Sequence, residues 1–253
     1  MDLNNINPVK AFTRTILFVV ERSSYMIGDV LDAVNRAIES VISSIRNASK
    51  EYPDLNVQFK VAILEFGNES ATMSTPEDIT TYKWKNLEAK SGIAKFSVAC
   101  KKLNEVLAGG VIADDSYLAI ILIACHRMTF DGFVALNELK SNSRFMQAYR
   151  VAIGVGNFKE IIEEKFTNNH MDVEIDAGNS QDMKVLEQFT GDEANAVSAS
   201  TNEFICKVIR NMSFWAAQHN LGDEKFVQLL LKDSKDGWKW GVKGALEYYY
   251  TQT

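Results

Sequence analysis

Only three cysteines, three histidines and no cluster of lysine or arginine occur in the 253 residues, and each scarcity removes a class of function. Cys100, Cys125 and Cys206 are far apart, odd in number and set in apolar segments, so free buried thiols in a reducing compartment are expected rather than a disulfide framework. His126, His170 and His219 are the whole supply of imidazole, and none sits in a Ser/His/Asp or Cys/His arrangement, which leaves hydrolysis little to rest on. The formal charge of −6 argues against nucleic acid as a partner, because phosphate binding depends on clustered cations. No apolar run reaches bilayer-spanning length, and Met1-Asp-Leu-Asn-Asn-Ile-Asn-Pro8 lacks the layout of a signal peptide. The expectation is a cytoplasmic protein with no membrane partner.

What remains is ordinary globular composition, 46% hydrophobic and 24% charged, enough to bury a sizeable core. Residues 15–20 form a continuous β-branched and aromatic run, the pattern of a strand buried on both faces. From 27 to 45, Ile27, Val30, Leu31, Val34, Ile38, Val41, Ile42 and Ile45 recur at helical spacing, with Asp32, Asn35, Arg36 and Glu39 on the opposite side. Strands are predicted at 57–66, 117–125, 148–155 and 194–200, and a short edge strand at Tyr82-Lys-Trp84. Helices are predicted from about Ala94 to Gly109-Gly110, over 131–140, at 185–189 and over 202–215. Strands alternating with helices imply βαβ crossovers and a mostly parallel sheet covered on both faces.

The first strand runs directly into Glu21-Arg-Ser-Ser-Tyr25, and this strand and loop resemble the opening of a von Willebrand factor A (VWA) domain. The segment Leu87-Glu-Ala-Lys-Ser-Gly-Ile-Ala-Lys-Phe96, the strand and turn at 117–131 and Tyr149-Arg-Val-Ala-Ile-Gly-Val-Gly156 follow in the family's order and spacing. Within the family the chain looks most like the bacterial tellurite-resistance, TerY-like group. The resemblance implies a Rossmann-like three-layer α/β/α fold with a mostly parallel central sheet. It also implies that the family's metal-ion-dependent adhesion site is degenerate. Its Asp-x-Ser-x-Ser falls on Glu21, Ser23 and Tyr25, its second-loop threonine on Ile93 and its third-loop aspartate on Cys125. Mg²⁺ needs near-octahedral oxygen ligation, so losing oxygen donors at Tyr25, Ile93 and Cys125 should abolish the site.

Other candidate sites are weaker. Thiolate, imidazole and carboxylate suit zinc, so Cys125, His126 and Glu21 are a conceivable set. Adjacent strand residues point to opposite faces, however, and a core thiol beside a loop imidazole is the preferred reading. Gly154-Val-Gly156 lacks the third glycine and the ribose-binding acid of a dinucleotide fingerprint, and reads as a tight turn. Asp114-Asp115 and Asp131 flank a strand at opposite ends, which is no geometry for a catalytic pair.

These readings divide the chain into a VWA-like domain at 1–215, with 157–183 an insertion or irregular segment, and an aromatic helical extension at 216–253 packed on it. The function they imply is non-enzymatic, without cofactor or metal: an interaction module for another protein in a bacterial tellurite-resistance or stress-response system. The alternative is a small-ligand or nucleotide-binding α/β protein using the carboxyl edge of the sheet. Candidate partner contacts are Tyr25, Ile93 and His126 at that edge and Trp238 and Trp240 in the extension, with Glu21 expected to repel an acidic partner group.

Overall fold

The computed structural model describes residues 12–53, 56–114, 116–125, 130–155, 181–199, 201–219 and 221. His126, Trp238, Trp240, the expected insertion up to residue 180 and nearly all of the expected extension lie outside them.

Strands β1 (Phe12–Glu21), β2 (Val57–Phe66), β3 (Ala71–Met73), β4 (Glu77–Asp78), β5 (Tyr117–Ala124), β6 (Tyr149–Val155) and β7 (Ala196–Ala199) form one sheet of order β3-β2-β1-β5-β6-β7, with β4 also on β2. The ladders among β2, β1, β5, β6 and β7 are parallel, whereas β3 and β4 run antiparallel to β2. Helices α1 (Asp29–Glu51), α2 (Phe96–Ala108), α3 (Phe130–Leu139), α4 (Ser143–Gln147), α5 (Gln181–Thr190) and α6 (Asn202–Gln218) cover it. This is the three-layer, mostly parallel VWA-like architecture.

Period-two alternation along β1 sorts the core. Ile16, Phe18 and Val20 pack with Ile38 and Val41 of α1 and Val208 and Ile209 of α6. Leu17 and Val19 face the other way, against Leu103 of α2, Leu136 of α3 and Phe189 of α5. Because both faces are covered, the central strands are apolar throughout, and each fully buried Val, Leu, Ile or Phe contributes about 1.5–3 kcal/mol.

Several expectations need correction. Tyr82-Lys-Trp84 is not a strand: a turn bonds Tyr82 N to Asp78 O, and Tyr82 and Trp84 lie half-buried against the core. The edge strands are the short pieces β3 and β4. Helix α1 starts at Asp29, so Ile27 precedes it and is 64% exposed. Asn35 is buried instead of solvated, because its amide donates to Leu87 O at 3.0 Å and accepts from Leu87 N at 2.8 Å. Gly154 is a buried strand residue between Ala124 and Ser198, not a turn. Residues 181–183 belong to α5, and α6 continues through 215–216 to Gln218 with Ala216 and Ala217 buried.

At the amino edge a buried arginine secures the end of α6. Arg14 donates from Nη1 to Ala217 O at 3.0 Å and His219 O at 2.8 Å, while its guanidinium lies 4.2 Å from the Tyr117 ring centroid. His219 stacks on Tyr149 at 4.1 Å. Guanidinium planarity serves both contacts at once.

Candidate functional site at the carboxyl edge of the sheet

In the parallel register, the last residue of β1, Glu21, lies beside Phe66 at the end of β2, and Val20 lies beside Ile123 of β5. Cys125 follows β5 directly. The strand ends therefore bring Glu21, Ser23 and Cys125 together, and all three are buried.

Ser23 Oγ donates to Glu21 Oε1 at 2.6 Å and accepts from Tyr25 N at 3.2 Å, which caps the short 3₁₀ turn Ser24–Met26. Cys125 N donates to Glu21 Oε2 at 2.9 Å, and Cys125 Sγ donates to Glu21 Oε1 at 3.3 Å. Burial, then the Glu21 charge, push the Cys125 thiol far above the ordinary thiol range, outweighing the opposing Ser23 bond. The thiol stays protonated and acts as a donor.

A second set of bonds joins the loops. Ser24 donates to Gly92 O from N at 3.0 Å and from Oγ at 3.2 Å, and Lys90 N donates to Arg22 O at 3.3 Å. Gly92 has φ +94°, a conformation that glycine adopts without Cβ strain. Arg22 also pairs with Glu65 and bonds to Glu88 O.

These residues do not fit a hard cation. Ile93 offers no side-chain oxygen and is 47% exposed, Tyr25 packs against the core cluster, and Cys125 offers a thiol that donates to Glu21 rather than a carboxylate. Among the described residues no group of three or more His, Cys, Asp or Glu is placed to hold a metal. Asp131 instead accepts from Ser97 Oγ at 2.6 Å, linking α3 to α2.

The structure thus brings Glu21, Ser23 and Cys125 into one buried cluster to which the Tyr25 backbone N–H is bonded, and leaves Ile93 exposed, with His126 outside the described residues. Glu21 is 0% exposed, so it displays no carboxylate to an approaching partner, contrary to the expected repulsion. Sequence reasoning missed Ile27. Its side chain follows the helical period, but Gly28, with φ +81°, starts the helix after it.

No protein-family model matches the chain, and no curated protein matches it in sequence. Solved structures match in fold. The open form of the pilus adhesin SpaC from Lactobacillus rhamnosus GG has a TM-score of 0.55 at 10% identity, covering 82% of this chain and 30% of that one. Proximal thread matrix protein 1 from the mussel byssus, crystal form 2, has a TM-score of 0.50 at 12% identity, covering 80% of this chain and 45% of its own. The SpRpn10 VWA domain has a TM-score of 0.47 at 13% identity, covering 83% and 96%. The chain spans under half the length of the first two, and at these identities the likeness concerns fold alone. Among the described residues no helix is long and apolar enough to cross a membrane.

Proposed function

We propose that this chain is a non-enzymatic, VWA-like protein-interaction module whose inherited cation site has become an internal hydrogen-bond cluster. The observation that carries the reading is the Glu21 carboxylate, which accepts from the Ser23 hydroxyl and from the Cys125 thiol and backbone N–H. Protein donors stand where a cation would, so an acidic group of a partner has no ion to complete. The partner instead meets an apolar edge of Tyr25, Ile27 and Ile93, the isoleucines 64% and 47% exposed respectively. A cytoplasmic setting in bacterial tellurite resistance or stress response is part of this proposal and is supported by the resemblance of the sequence to the TerY-like group alone.

Capture of a partner by wild-type, Ile27→Asp and Ile93→Asp baits, each with and without EDTA, tests the reading. Both side chains are exposed, so the substitutions spare the core. A partner that is retained in EDTA and lost with either aspartate agrees with the proposal, since a buried apolar anchor contributes about 2 kcal/mol or more. Binding that EDTA abolishes and the aspartates spare would overturn it.

A further inference from the structure

At the amino edge, away from the site above, a cleft of about 810 Å³ opens between the end of α4, the start of β6 and the end of α5. We infer that this cleft is an anion site for a small phosphate monoester, held by Lys140, Arg150 and Lys184. In a chain of net charge −6, three cations converge here, and none of them is ion-paired with a described residue.

Arg150 is fixed in advance. Its Nε donates to Phe189 O and Thr190 O at 2.9 and 3.2 Å, and its Nη1 to Phe145 O and Met146 O at 2.6 and 3.0 Å. These carbonyls end α5 and α4, so the guanidinium caps both helices and loses little freedom when a ligand arrives. Its Nη2 makes no hydrogen bond with a described residue. A Cβ at position 191 would lie 3.0 Å from that atom, and Gly191, with φ +75°, has no side chain to crowd it.

Lys140 is held below its ordinary pKa by burial and then by the charge of Arg150, so the two cations repel each other. A bound phosphate dianion relieves that repulsion, and lysine and arginine are the residues suited to it. Glu187, Asp192 and Glu193 also line the cleft, and Asp192 is engaged in capping Ala194 N at 3.0 Å. Met146, 50% exposed, supplies an apolar flank for the carbon part of an ester.

The test is an amide NMR titration of the whole chain with inorganic phosphate and with phenyl phosphate at constant ionic strength. Lys140→Ala and Lys184→Ala report on the site, and Lys102→Ala, on α2 beside Glu105, is the control. Arg150 is left intact because it caps two helices. The expected result is saturable shifts around the cleft, tighter for phenyl phosphate, weakened about tenfold by each cleft substitution and unchanged by the control. Shifts that do not saturate, that survive both cleft substitutions in proteins with wild-type melting, or that show equal affinity for the two probes would overturn the assignment.

Discussion

Cys125 reaches the Glu21 carboxylate twice, through its backbone N–H at 2.9 Å and its thiol at 3.3 Å. The two residues end neighbouring parallel strands, so the pair ties β1 to β5 at the edge where open α/β sheets place their sites. Ser23 adds a third donor from the next loop.

Removing the acceptor should therefore cost more than removing one donor. Glu21→Ala leaves three buried donors without this acceptor and opens a void, and should lower unfolding free energy by on the order of 3 kcal/mol. Glu21→Gln keeps an acceptor oxygen and should cost less. Urea unfolding of the two variants measures this, and an alanine variant as stable as wild type would contradict the cluster's role.

Thiol chemistry offers an independent check. Cys125 and Cys100 are buried, and burial pushes both thiols far up, whereas Cys206 is partly exposed and donates to Ala33 O at 3.3 Å. With a soluble disulfide reagent at neutral pH, one thiol, Cys206, should react in the folded protein and the other two only on unfolding. Rapid native modification of Cys125, mapped by mass spectrometry, would mean the cluster opens.

The segment between β4 and α2 is secured by the Asn35 amide, which both donates to and accepts from Leu87. Asn35→Asp retains the acceptor but sets a carboxylate against Leu87 O. It should destabilise by about 2–3 kcal/mol and expose the amides of 86–93 to hydrogen exchange. Unchanged exchange there would show that the segment is held by other contacts.

His219 has its pKa lowered below the usual 6.5, by burial first and by the Arg14 charge second, with Tyr117 and Tyr149 stacked on it. The folded protein therefore binds the proton less readily than the unfolded chain does. Stability from this group is complete above about pH 6.5 and is lost as pH falls through the folded value. Melting temperature should drop between pH 7.5 and 5.5, and His219→Phe should flatten that drop. An equal drop in the variant would assign the effect elsewhere.

The central strands were legible in sequence because covered parallel strands are apolar throughout, as in Ile16–Val20 and Leu118–Ile123. Strands β3 and β4, three and two residues long, carry no periodic signal, and the aromatic Tyr82-Lys-Trp84 imitated one. Helix α4 is too short for a period, and its signal is Asn142, whose side chain caps Arg144 N and Phe145 N. At the site, the family resemblance marked Glu21, Ser23 and Cys125 individually. Their mutual hydrogen bonds span up to 104 residues of chain and depend on register, which spacing does not reveal.

Calorimetric titration of the metal-stripped protein with Mg²⁺ and Mn²⁺ tests the loss of the cation site most directly. On the proposed reading, with Glu21 engaged by the Ser23 hydroxyl and by the Cys125 thiol and backbone N–H, no saturable heat is expected for either ion. A one-to-one isotherm of micromolar affinity that disappears in Glu21→Ala would contradict it.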